Sequence, residues 1–375
     1  MEKVIIKQAK LISLADGYDG EIRDILIEDG RIKQIAKEIN IPGISCLDMK
    51  QRYVSAGFID SHVHCFKDAC IGVDADVIGL GRGATSVIDA GSSGATNYET
   101  FKSTCIDVCE TKVFTILNVS KIGLERLDEL SKESYIDELA LEEVVSKYKD
   151  NIVGIKARAS SSVVKELGIK PIERAKEIAT KVGLPLIVHV GNVPPKLEEV
   201  LNILDNNDVL THAFHGKEGG ILQDAQIINE AVLAKKRGVY FDIGHGEASF
   251  NFNVYEAAYD LGFDCDSISS DLHKNNYQSK VTSLCEVMNK LYNTRQSLIQ
   301  VIDKVTMMPA QIYKLKDLGR IKVGYIGDLS VFEVRDCNKQ VVDANGNARL
   351  LNKEIVQICN IYSKGKETKV YTYEK

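Results

Sequence analysis

Hydrophobic and polar positions along this chain fall into two textures. Over the first fifty residues they alternate in short runs, KVIIKQAKLIS and then IRDILIEDGRIKQIA, with Asp29-Gly30 between apolar stretches as a hairpin signal. The last fifty residues repeat the texture in GDLSVFEV, KEIVQICNIYS and TKVYTYE, with ANGNAR as a turn. The middle is different. Short apolar runs stand at Tyr53–Asp60, Thr85–Asp89, Val113–Leu117, Ile152–Lys156, Leu186–His189, Val209–His212, Val239–Asp242 and Ser267–Asp271. Helical patterns separate most of them, such as PIERAKEIATKVG, with Pro171 at its start and Gly183 at its end.

Strand alternating with helix predicts a parallel sheet, and eight repeats predict a closed (β/α)8 barrel of the TIM type. An open doubly wound sheet is the alternative, but no GxGxxG follows the first strand. The two β-rich ends predict a small β-sandwich domain built from residues 1–52 and 320–375, with the barrel over 53–319. A chain of 375 residues suits a barrel of about 250 with a smaller attachment.

The carboxyl ends of the predicted strands carry the chemistry, because a barrel brings those ends to one mouth. The first run stops at Asp60 with His62 and His64 beyond it, and residues two apart on a strand share a face. Two imidazoles aimed at one point are most simply read as metal ligands. The fourth run ends at Lys156, the fifth at His189, the sixth at His212 and the eighth at Asp271. Lys156 follows an apolar IVGI, where an unpaired ammonium is costly. Capture of carbon dioxide would turn that amine into an anionic N-carboxylate able to bridge two cations. His215 competes with His212 for the sixth position, although His212 stands nearer the strand end.

Composition narrows the classes. The 47 basic and 53 acidic residues leave a net charge of −6 with no long basic run, against nucleic acid or anionic membrane as the main partner. No apolar segment nears the roughly 20 residues that span a bilayer. The amino terminus lacks a signal-peptide core. Nine cysteines without CxxC spacing fit a reduced compartment, so the expected location is cytoplasmic. Cys65 and Cys70 lie near the histidine pair.

GFIDSHVH, GIKAR, IVHVGN, THAFHG and SSDLH together resemble the amidohydrolase superfamily in its binuclear form with a carboxylated lysine. TMMPAQIYKLKDLGRIKVGYIGDLSVFEV is similar to the family's return from barrel to sheet domain, with Met308 where members usually have Asn. The resemblance covers nearly the whole chain. It implies two divalent ions, zinc first, with manganese, iron or cobalt as alternatives. His62, His64 and Asp271 would bind the more buried ion, His189 and His212 the second, and carboxylated Lys156 would bridge them. Such a pair would lower the pKa of a bridging water and polarise a carbonyl. Asp271 would act as general base, then acid.

GVDAD, VIDAGSSGA, IKAR, THAFHGK and FDIGHGEASF resemble a bacterial branch variously labelled dihydroorotase, adenine deaminase or deacetylase. Phe66 replaces the Arg that dihydroorotases use as a carboxylate clamp, and Asn192 replaces the proton-delivering Glu of adenosine-type deaminases. The resemblance suggests hydrolysis of an acetyl group from an α-substituted carboxylic acid, an acyl amide or ester of a small carboxylated metabolite. Dihydroorotase-like ring opening and deamination are the alternatives, and a scaffold without catalysis is disfavoured because all six ligand positions are filled. Arg158 shares the face of Lys156 and is expected either to hold a substrate carboxylate or to form a structural ion pair. His245, flanked by glycines, Asn192 and His215 complete the expected substrate-binding set. His273 is expected beside the ligands or at the surface. GSSGATNYE would offer backbone N–H groups to substrate or form a turn capped by Thr96 or Asn97. The family makes a homo-oligomer plausible.

Overall fold

The computed structural model describes residues 3–279, 281–364 and 367–372. Its amino-terminal strand, Lys3–Ser13, pairs with Tyr18–Glu28, which turns through Asp29-Gly30 into Arg31–Ala36. Both turn residues have positive φ, 51° and 72°, as a tight primed hairpin turn requires. Tyr53–Ala56 runs parallel to the first strand and antiparallel to Leu329–Val342. That strand pairs with Ala348–Lys364, and the last with Glu367–Thr372. The two termini thus share one mixed eight-stranded sheet, hydrogen-bonded through Tyr53–Ala56. The run Tyr53–Asp60, expected as one barrel strand, is therefore two strands, divided at Gly57-Phe58, with the first given to the terminal sheet.

Seven parallel strands follow in chain order: Ile59–Val63, Ser86–Ala90, Lys112–Asn118, Ile152–Ala159, Leu186–Val190, Val209–Thr211 and Tyr240–Phe241. The expected eighth strand is irregular. Its ends make the closure, with Ser267 bridged to Asp242 and Leu272 to Val63. Asp271 N–H donates to His62 C=O at 2.8 Å, which seals the eighth position to the first. The fold is of the TIM-barrel type. The helix Lys170–Val182 carries its proline in the first turn and ends on Gly183 in the left-handed conformation, as its sequence predicts.

One end of the barrel is plugged by hydrocarbon. Ile59, Ile88, Ile116, Ile187 and Val209, from five of these strands, pack against Ala310, Ile312, Tyr313, Leu315 and Leu318. Met308 packs against the same cluster, so an apolar side chain suits that position. The polar residues of those strands are left to the opposite mouth. No helix among the described residues is long and apolar enough to cross a membrane.

Candidate functional site

At that mouth His62 and His64 turn their Nε2 atoms toward one carboxylate oxygen. Asp271 Oδ1 lies 3.6 Å from His62 Nε2 and 3.3 Å from His64 Nε2. The three residues offer ligand atoms within 4.8 Å of one another. The chain continues from there: His62 and His212 have ring centroids 5.0 Å apart, and His212 and His189 4.4 Å. Lys156 Nζ stands 3.2 Å from His62 Nε2, and the residue is 1% exposed. All six strand-end residues come together.

Hydrogen bonds fix the imidazole tautomers. Thr211 Oγ1 donates to Asp242 Oδ2 at 2.8 Å, so it accepts the Nδ1–H of His62 at 3.0 Å. A carbonyl only accepts, so His212 donates its Nδ1–H to Gly244 C=O at 2.6 Å. In both rings the Nε2 lone pair is left for the centre of the site. His212 Nε2 is buried with no hydrogen-bond partner among the described residues. A buried orphan acceptor beside a histidine-carboxylate cluster fits a metal ion. His64 Nδ1 is 3.0 Å from Ser92 Oγ.

Burial sets the charges. It holds His62 and His189 well below the usual imidazole range and His212 at about 3, so these rings stay neutral, the form that binds metal. Burial also brings the Lys156 amine down to about 7. At Asp271 burial pushes upward, but His62, His64 and His212 outweigh it and hold the carboxyl well below its ordinary value. The backbone is strained here too. His212 and Asp271 have φ of 63° and 52°, a region that side-chain-bearing residues avoid unless the surroundings impose it. Glycines allow the imposing contact: a Cβ at Gly246 would come within 2.5 Å of Asp271 Oδ2, and one at Gly244 within 2.7 Å of His212 Nδ1.

Residues 53–358 match the model of the amidohydrolase family. The chain belongs to that family. A deacetylase of Enterococcus faecalis is 38% identical over 357 residues, covering 94% of this chain and 96% of its own. A crystal structure of an adenine deaminase superposes with a TM-score of 0.94 at 36% identity, covering 100% of both chains. A crystal structure of a dihydroorotase gives 0.92 at 32% identity, covering 99% of this chain and 98% of its own. This amidohydrolase is a hydrolase.

The remaining expected residues divide differently around the amidohydrolase site. Arg158 shares the face of Lys156, but its Nη1 reaches both oxygens of Glu129, at 3.3 and 3.1 Å. Glu129 is fully buried, so the ion-pair alternative is the one observed. His245 corrects the expectation of a substrate contact. It donates Nδ1–H to Gly246 C=O and accepts at Nε2 from Lys290 Nζ at 2.9 Å, and its ring lies against Phe250. With both nitrogens used internally, it supports the loop that abuts Asp271. His215 accepts the Lys217 N–H at Nδ1 and is buried, on the loop after His212. Asn192 is exposed at the rim, its C=O accepting from Ser161 N–H. His273 packs its ring 6.3 Å from that of His64.

Sequence reading missed the supports. Asp60 accepts from Ser270 N–H and its hydroxyl, and Asp89 from the N–H groups of Cys65 and Ser92. Asp242 accepts from Thr211, Ser267 and Ser269. Burial raises Asp60 to about 7 and raises Asp242. The available signal was an aspartate recurring at strand ends, in FIDSH, VIDAG and FDIG. GSSGATNYE offers Ser92 to His64, while Asn97 Oδ1 accepts from Gly94 N–H. Cys65 is buried and Cys70 exposed, and no disulfide joins the cysteines among the described residues.

Proposed function

We propose that the protein is a metal-dependent hydrolase that removes an acyl group, acetyl above all, from a nitrogen or oxygen of a small carboxylated metabolite. What carries the reading is the convergence of His62, His64, Lys156, His189, His212 and Asp271 around the orphaned His212 Nε2. Deacetylase is the name carried by the Enterococcus faecalis relative, matched over nearly its full length. His62, His64 and Asp271 would hold one divalent cation, His189 and His212 a second, and Lys156 would join them; zinc suits these nitrogen and oxygen donors. When bound, the ions supply an activated water and polarise the scissile carbonyl.

The chain's own residues do the rest. Buried Lys156 has no carboxylate within ion-pair distance among the described residues. Its neutral amine can attack carbon dioxide, forming an N–C bond and releasing a proton, to leave a carboxylate where an ammonium would repel cations. Asp271 Oδ1, held between two imidazoles, is placed to take the proton of the attacking water and return it to the leaving nitrogen or oxygen. Thr211 and Asp242 keep His62 in the one tautomer that presents Nε2. The location we propose is the cytoplasm.

The test is a product assay on protein supplied with zinc and bicarbonate. Acetate from N-acetyl amino acids or O-acetyl hydroxy acids supports the reading. Ammonia from adenine, or turnover confined to dihydroorotate, replaces it with deamination or ring opening. Gentle purification that yields no bound metal overturns it.

A further inference from the structure

The terminal-sheet hairpin, Leu329–Val342 paired with Ala348–Lys364, reaches the barrel at its tip. Three consecutive tip residues bond three consecutive residues of the loop after the seventh barrel strand. Asp343 Oδ2 accepts the Phe252 N–H at 2.8 Å, Ala344 N–H donates to Phe250 C=O at 3.1 Å, and Asn345 Oδ1 accepts from Asn251 Nδ2 at 2.9 Å. Phe252 opens the helix Phe252–Asp260, where an N–H has no partner within the helix and a carboxylate meets the positive end of the dipole. Asp343 is buried, and the N–H groups of Asn345 and Asn347 that it also accepts shape the tip itself. Behind the tip, Arg349 pairs with both oxygens of Glu256 at 2.8 Å and lies over the Phe252 ring. Asn251 N–H donates to Phe214 C=O at 3.0 Å, and a Cβ at Gly216 would stand 2.5 Å from Asn251 Nδ2 and 2.7 Å from Asn345 Oδ1. The tip therefore sits where the loops after the sixth and seventh strands meet.

The bonded loop leads to Asp271. Gly244 and Gly246 hold positive φ in it, and glycine's freedom leaves the loop's own backbone little means of keeping one shape. It is fixed from outside at two ends. His245 and Gly246 donate their N–H groups to Ser269 and Ser270 C=O, and Phe250, Asn251 and Phe252 meet the tip. Between these ends the buried Phe250 ring lies 5.1 Å from that of His245. Gly246 in turn abuts Asp271, whose φ of 52° persists only under imposed contacts. We infer that the hairpin tip positions Asp271 for proton transfer, with Asp343 and Asn345 holding the loop from Gly244 to Phe252 against it. The terminal sheet thus takes part in the reaction without touching substrate. This assignment rests on the hydrolase reading for the proton transfer, but the hold on the loop can be measured without turnover.

The experiment takes the full-length, zinc-loaded protein and makes two measurements. One is hydrogen–deuterium exchange of residues 244–252; the other is the kinetics of O-acetyl lactate or N-acetylalanine hydrolysis, whichever turns over. Asn345→Ala, at an exposed residue, should speed exchange in this loop several-fold. It should lower kcat roughly threefold to tenfold, the scale of displacing a proton-transfer group by a fraction of an ångström, with KM and zinc content unchanged. Asn345→Asp keeps the acceptor for Asn251 and should behave as wild type. Asp343→Asn turns an NH2 group toward N–H donors whichever way it lies, and should lower kcat about tenfold or more. Loop exchange unchanged by Asn345→Ala overturns the assignment. So does faster exchange with kcat unchanged, a loss carried by KM, or an equal loss in Asn345→Asp. Faster loop exchange in variants of a protein that hydrolyses no acyl compound upholds the hold on the loop and removes the hydrolase reading.

Discussion

Lys156 Nζ meets His62 Nε2 at 3.2 Å, although 94 residues separate them in the chain. His62 donates its other nitrogen to Thr211, so the atom facing the lysine is a lone pair. An ammonium could donate to that lone pair, but it would then occupy the place of a cation. Lys156→Met is expected to lower bound zinc from about two ions per chain to one or fewer, and turnover by several orders of magnitude. Elemental analysis beside a fold check by circular dichroism decides it; full zinc content in the variant removes the bridging role.

Thr211 is a relay between His62 and Asp242, receiving one hydrogen bond and giving another. Thr211→Val keeps the shape and removes both. The freed imidazole can exchange tautomers, so zinc affinity should fall roughly tenfold to a hundredfold, as measured by chelator competition. Unchanged affinity would show that packing alone orients the ring.

The Arg158–Glu129 pair is buried on the carboxylate side, with Glu129 at 0% and Arg158 at 17% side-chain exposure. Removing one partner strands the other charge. Glu129→Gln should cost about 3 kcal/mol in urea unfolding, and Arg158→Met in the same background should recover part of it. A cost below about 0.5 kcal/mol would place the pair among solvated surface contacts.

His245 is held at about 3 by burial and by the neighbouring Lys290 ammonium, against 6.5 for an ordinary imidazole. The folded state thus keeps it neutral where the unfolded chain protonates it. Between pH 6.5 and about 3 the unfolded state binds the extra proton, so this contribution to stability is lost as the pH falls through that window. The stability difference between wild type and His245→Gln should shrink by up to about 1.4 kcal/mol per pH unit below pH 6. A difference that stays constant from pH 7 to 4.5 contradicts a neutral, lysine-bonded ring.

Much of the fold was legible because its signals are local. Asp29-Gly30 demands a hairpin wherever it stands between strands, and Pro171 and Gly183 bracket a helix by backbone geometry alone. The alternation of strand and helix carries the barrel with it, and that topology sends the carboxyl ends of the strands to one mouth. The boundary at Gly57-Phe58 was not legible: Tyr53–Ala56 and Ile59–Val63 both read as strand, and only their pairing partners separate them.

That His62, His64, Lys156, His189, His212 and Asp271 gather at one mouth was readable from the chain alone, since the carboxyl ends of barrel strands meet there once the barrel closes. Arg158 and His245 were decided by the tertiary structure. Periodicity says which way such a residue points, not what it meets. Glu129 and Lys290, brought from distant segments, neutralise the Arg158 charge and fill the last nitrogen of His245. Whether a polar side chain is free to bind a ligand depends on that long-range pairing, because a buried group satisfied inside the protein has no bond left to offer.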